Sequence, residues 1–199
     1  MTHDTSALLI VDLQNDFLHP EGAYGRAGQS AKAIAALPAR VAPVAEAMRR
    51  AGGVVISTQF TLVPGRGGAP MIAPHLQKLR PFLTRGDFAP GSWGNQMVDA
   101  LGTPDFIIEK IAYSAFYMTR LEWVLRKNGI TDLLVAGIVT NGGVASTVRN
   151  AHVLDLHTTV LSDGCAAFSD TAHNAAIADL KTVSDVMTCA DAITLLDGL

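Results

Sequence analysis

The feature that most restricts this chain is an alternation of short, continuous aliphatic runs with segments of helical length. The runs are Ala7–Val11 (ALLIV), Val54–Thr58 (VVIST), Phe106–Lys110 (FIIEK), Asp132–Gly137 (DLLVAG) and Thr158–Asp163 (TTVLSD), with Val183–Thr188 as a closing edge strand. The first has no polar residue at alternate positions, so it suits a strand covered on both faces rather than one with a wet side. Helices are predicted between the runs. The first spans Ala31–Ala51, interrupted early by Pro38 and Pro43 and ending with Arg49 and Arg50 before Gly52 and Gly53. Others are Arg120–Asn128, stopped by Gly129, then Val144–Asp155, Ala172–Leu180 and Ala190–Leu196. Strands alternating with helices give right-handed βαβ units. The predicted fold is therefore α/β, a three-layer α/β/α sandwich around a central, mostly parallel six-stranded sheet.

Composition supports this. Hydrophobic residues make up 49% of 199 and charged residues only 17%, enough to fill a core on both faces of a sheet. No repeat or linker divides the chain, so one domain is expected over residues 1–199. A net charge of −3 without a basic run argues against nucleic acid as a partner. No stretch is apolar and long enough to span a bilayer, and the start MTHDTSALLIV lacks the basic-then-apolar pattern of a signal peptide. With two cysteines, Cys165 and Cys189, a disulfide scaffold is not expected; both read as small buried hydrophobes, and a cytoplasmic protein is the simpler expectation.

In open parallel sheets, ligands bind at the carboxyl ends of the strands. The residues at those ends are Asp12, Gln59, Lys110, the Thr140–Val144 turn and Asp163. A carboxylate at the end of a buried strand loses water, which raises its pKa and suits it to proton transfer. Asp12 and Lys110 can hold opposite charges at one dry rim, although the same two residues also fit a plain structural ion pair. The segment Gly137–Thr147 (GIVTNGGVAST) runs from a strand through a glycine-bearing turn into a helix. Glycines there let a substrate approach the backbone, and the first helical turn offers unpaired N–H groups to an anion. It matches neither a phosphate-binding P-loop nor G-x-G-x-x-G. The Gly- and Pro-rich stretch from Gln59 to about Asn95 reads as a lid.

The runs VDLQNDF (11–17), KIAYSAF (110–116) and GIVTNGGVASTVRNA (137–151), in this order, resemble the isochorismatase-like hydrolases, also called the cysteine hydrolase superfamily. The resemblance extends from Ala7 to about Leu196 and takes in PGSWG (90–94), SDGCAAFSD (162–170) and His173. It implies a six-stranded parallel sheet, a homodimer or homotetramer, and catalytic roles for Asp12 and Lys110. It places Phe17, Val139, Thr140, Asn141 and Gly142 beside the substrate. It also implies a cis peptide between Val139 and Thr140.

Most members of that family carry a nucleophilic cysteine where this chain has Gly143. Glycine has no side chain to attack with, so covalent thiol catalysis through this position is impossible. A minority, the true isochorismatases, have glycine there and hydrolyse a vinyl ether. They also carry a glutamine after the second strand, where Gln59 stands. The expected function is a thiol-independent hydrolase of a small, anionic substrate, with Asp12 as general acid, Lys110 as its partner, and Gly143 making room. Gln59 is expected to hydrogen-bond the substrate, and Arg66 or Arg85 to meet its carboxylate. Amide or imide hydrolysis by direct water attack is the alternative, and a non-catalytic binding protein the third. No histidine spacing suggests a metal, and no cofactor is expected.

Overall fold

A computed structural model describes residues 5–199. Its centre is a six-stranded, all-parallel sheet of β1 (Ser6–Val11), β2 (Val54–Phe60), β3 (Phe106–Lys110), β4 (Asp132–Ile138), β5 (His157–Ala166) and β6 (Asp185–Met187), in the order β3-β2-β1-β4-β5-β6. The order reverses beside β1, the chain's first strand, so β1 and β4 diverge to opposite crossovers and leave a crevice at their carboxyl ends. Every residue of β1 is buried, as its unbroken aliphatic run requires.

The helices cover both faces. Among the α-helices, α1 (Asn15–Leu18) and α2 (Ala23–Arg26) are single turns near the crevice. On one face lie α3 (Lys32–Ala35), α4 (Leu37–Arg50) and α9 (Cys189–Asp197), packing Leu37, Val41, Val44, Met48 and Leu196 against Leu8 and Ile10. On the other face lie α6 (Leu121–Lys127), α7 (Ala145–Val153) and α8 (Asp170–Leu180), packing Leu121, Leu125, Val148 and Leu180 against Leu9 and Val11. A short helix α5 (Pro74–Leu79) sits in the long segment between β2 and β3.

Several boundaries differ from the sequence expectation for physical reasons. Pro38 starts α4 rather than interrupting a longer helix, since a first-turn residue needs no N–H donor. The helix then continues through Pro43, held by its buried face. β2 runs two residues further, to Phe60, because Gln59 and Phe60 pair with Glu109 and Lys110 of β3. The lid therefore begins at Thr61, and it contains a helix. β5 extends to Ala166: after a register shift, Cys165 and Ala166 pair with Gly137 and Ile138. Asp163 consequently lies inside a strand, and its carboxylate accepts from Cys189 N at 2.7 Å, tying down the start of α9. Among the described residues, no helix is long and apolar enough to cross a membrane.

Candidate active site

Asp12 is the first residue after β1. Strict alternation from Val11 would turn its side chain toward the α4 face, but its φ of 57° breaks the period. Aspartate is among the few non-glycine residues that adopt this region with any frequency. The carboxylate thereby faces the same side as Thr58, Phe60 and Lys110, which share their parity, and so their face of the sheet, with Ile56 and Ile108 of the α6–α8 core. β3 lies two strands from β1, about 10 Å at the backbone. The long lysine side chain crosses the end of β2 to close that gap.

The geometry at this point is tight. Lys110 Nζ is 2.6 Å from Asp12 Oδ2 and donates to Ala112 O at 3.0 Å. Thr58 Oγ1 donates to Asp12 Oδ1 at 2.7 Å and lies 3.2 Å from Asp12 N, which donates to it. Asp12 and Lys110 are 4% and 2% exposed, so the pair is almost fully removed from water. Burial pushes the Asp12 carboxyl above the ordinary carboxylate range, and the Lys110 charge and the hydrogen bonds from Lys110 and Thr58 only partly offset this.

Opposite Asp12 stands the turn between β4 and α7. Gly137 has a φ of 124°, and a Cβ there would lie 2.0 Å from Val11 O, so only glycine lets β4 pass β1 so closely. The cis peptide is Ile138–Val139, one residue earlier than the resemblance implied. Thr140–Val144 then forms a wide, π-like turn, a form that recurs at functional sites. Val139 O accepts from Gly142 N at 2.9 Å and Val144 N at 3.3 Å. Thr147 Oγ1 donates to Gly143 O at 2.7 Å while accepting from Ala115 N at 3.0 Å, which fastens the turn to the loop after β3. A Cβ at Gly143 would stand 3.4 Å from Asp12 Oδ2 and 2.9 Å from Ile138 O. The glycine thus leaves open the space directly beside the carboxylate.

Asp12, Lys110 and Gly143 form the floor of a hollow that, counting its open mouth, holds about 510 Å3 free of protein atoms. Phe17, Phe60, Ile138 and Val139 are among its walls. Tyr24, Ile72, Leu76, Arg80, Leu83, Tyr113 and Phe168 complete its lining. The aromatic side chains brace one another: Phe17 lies 4.5 Å from Phe88 and 4.9 Å from Tyr24 between ring centroids, and Tyr24 stacks on Phe168 at 5.6 Å.

The structure brings together Asp12, Lys110, Gly143, Phe17 and Val139. It does not bring in the others. Gln59 points to the opposite side of the sheet, into a depression with Gln96 and Met97, because it alternates with Thr58 and Phe60. The expected contact from Gln59 is therefore not made; Phe60 occupies that edge of the hollow. Arg66 and Arg85 are exposed, and neither lines the hollow. Arg80, Tyr24, Tyr113 and Phe168 were not expected. Thr140 is buried behind the turn with its Oγ1 2.8 Å from His173 Nδ1, Asn141 is exposed, and Gly142 is covered by Val139, so these three shape the turn from outside the hollow. Trp93 is 47% exposed and packs edge-on against His19. Cys165 is buried and Cys189 is buried by the start of α9; burial raises both thiols, Cys189 to about 12, and neither lines the hollow. Among the described residues, no group of histidine, cysteine and acidic side chains is placed to hold a metal ion.

Comparison with known proteins agrees with this architecture. The isochorismatase domain model matches residues 6–191. Ureidoacrylate amidohydrolase RutB of Methylobacterium radiotolerans is 34% identical over 206 residues, covering 95% of this chain and 80% of that protein. A cysteine hydrolase from Pseudomonas syringae pv. phaseolicola superposes with a TM-score of 0.84 at 24% identity, covering 100% of this chain and 95% of the other. N-carbamoylsarcosine amidase from Thermoplasma acidophilum superposes with a TM-score of 0.74 at 24% identity, over 95% and 97% of the two chains. These two superpositions establish the shared fold. With a family model spanning nearly the whole sheet and a relative of one-third identity along almost its full length, the chain belongs to the isochorismatase family of hydrolases.

Proposed function

We propose that this protein hydrolyses an amide or carbamoyl C–N bond by direct attack of water, with Asp12 as general base. The observation that carries this reading is the arrangement of Asp12. Both of its oxygens already accept hydrogen bonds, from Lys110 and Thr58, which favours the ionised form at rest. Burial raises its pKa, making it a stronger base than an exposed carboxylate. The space that a thiol would fill lies open at Gly143, within reach of Oδ2. Water held there gives a proton to Asp12 as its oxygen bonds to the substrate carbonyl carbon. The developing oxyanion is met by the N–H of Gly143, the residue of the Thr140–Val144 turn that lines the hollow. Asp12 then returns the proton to the leaving nitrogen as the C–N bond breaks. Lys110 holds Asp12 in place and limits its basicity. That a relative of one-third identity is an amidohydrolase supports the choice of bond.

A second reading keeps the same residues. A protonated Asp12 delivers its proton to a vinyl-ether carbon, and water adds to the oxocarbenium centre. The raised pKa of Asp12 favours this role. The two readings predict opposite pH limbs. A base must be ionised, so kcat/KM rises as pH increases through the folded pKa of Asp12; an acid must be protonated, so it falls. Screening primary amides, ureido compounds and isochorismate, then recording the pH profile of whichever is turned over, separates them. The Asp12→Asn variant is expected to lose at least about 100-fold in kcat. Full turnover by that variant would exclude both.

A further inference from the structure

The hollow contains a cation that its surroundings do not neutralise. Arg80 follows the last turn of α5 and lines the hollow together with Asp12 and Lys110. Its Nε donates to Tyr24 Oη at 2.5 Å, and Tyr113 lies close enough to act electrostatically on both. Its polar neighbours are thus two neutral hydroxyls. Among the described residues, Arg80 meets no carboxylate, whereas the more exposed Arg26, Arg50, Arg126 and Arg149 pair with Asp87, Asp197, Glu122 and Asp179. The wall around it is apolar, with Ile72, Leu76 and Leu83 as neighbours on the lid.

The charge balance of the hollow follows. Lys110 is cancelled by Asp12 at 2.6 Å, so the Arg80 guanidinium leaves the lining with one net positive charge. A guanidinium is charged at any working pH and presents a planar fork matched to a carboxylate. Fixed through Nε by Tyr24, and half removed from water, it is ordered before a ligand arrives. We propose that Arg80 is the specificity-determining residue for a monoanionic substrate, binding its carboxylate at the lid end of the hollow. The scissile bond then lies at the other end, against Asp12 and Gly143; which end reacts rests on the function proposed above, but the carboxylate site does not.

Binding can be read without turnover, using probes that have no bond to hydrolyse. Calorimetric titration of the whole chain with benzoate and crotonate, each beside its neutral alcohol, is expected to show at least one acid binding about tenfold more tightly than its alcohol. Arg80→Met removes that preference while leaving alcohol binding unchanged, Arg80→Lys restores part of it, and Tyr24→Phe weakens it by freeing the guanidinium. Arg80 is half-buried at the end of a six-residue helix, so the melting temperature of Arg80→Met is expected to match that of the parent protein. The proposal is overturned if neither acid is preferred, or if the preference survives in Arg80→Met. An Asp12→Asn protein with full activity would discard the reaction proposed above and leave this result standing.

Discussion

Restoring a side chain at Gly143 tests whether the open space beside Asp12 matters. In Gly143→Ala the new Cβ would stand 2.9 Å from Ile138 O and 3.4 Å from Asp12 Oδ2. The first contact is with backbone, and a carbon needs about 3.3 Å or more from a carbonyl oxygen, so the turn or the end of β4 must yield by about 0.4 Å. That movement is resisted on both sides. Thr147 clamps Gly143 O, and Ile138 is paired to Ala166 of β5. Overpacking of this kind costs about 1–3 kcal/mol. For a chain of this size that lowers the melting temperature by roughly 2–12 °C. The second contact removes the site assigned to the attacking water, so kcat should fall by at least about tenfold beyond what the stability loss explains. Thermal melting and steady-state kinetics on the same preparation measure the two effects separately. Gly143→Cys meets the same 2.9 Å contact, so the turn must yield by the same amount to admit a thiol. A Gly143→Ala protein that melts with the parent and turns over at the parent rate would refute the argument.

Two further outcomes follow from the buried groups. Asp12 has a folded pKa above its unfolded value of 3.8, so the stability it contributes is fully present below that value and is lost as pH rises through the folded pKa. Urea unfolding of Asp12→Asn and the parent protein should therefore show the difference moving in the variant's favour from about pH 4 upward, then levelling off; a difference independent of pH would contradict a raised pKa. Cys165 and Cys189 are buried, with thiols held protonated, and lie outside the hollow. Iodoacetamide at neutral pH should leave hydrolysis intact, as should Cys165→Ala and Cys189→Ala; stoichiometric inactivation would return sulfur to the mechanism.

What the sequence disclosed and what it hid divide along a physical line. The sheet was legible because an unbroken run such as ALLIV has no other stable home than a strand covered on both faces. Asp12 and Lys110 were legible because each directly ends or follows such a run. Gln59 was misplaced although the signal was present: Ile56, Thr58 and Phe60 share one parity, and Gln59 belongs to the other. The positive φ that turns Asp12 toward Lys110 has no local sequence signature beyond the residue type. Arg80 was hidden for a different reason. It comes from a lid whose only helix has no buried residue, and its place is set by Tyr24, fifty-six positions earlier in the chain. Long-range aromatic packing, not local periodicity, decides which lid arginine faces inward.

Stability offers no reason for the Asp12–Lys110 pair. Burying two charges costs several kcal/mol each before their attraction returns anything, and well-packed apolar residues in their place are commonly as stable or more so. On the side of the hollow the pair borders apolar walls, Phe17, Phe60, Ile138 and Val139. Its oxygens are nevertheless positioned by separate donors on β2 and β3, and the one neighbouring position that would crowd them is a glycine. A purely structural ion pair needs neither the opening nor the glycine. A carboxylate that must exchange a proton with a small molecule needs both. Under the proposed reaction the low polarity of the walls would serve the chemistry: burial raises the basicity of Asp12, and the same dry surroundings would strengthen the pull of Arg80 on an entering anion.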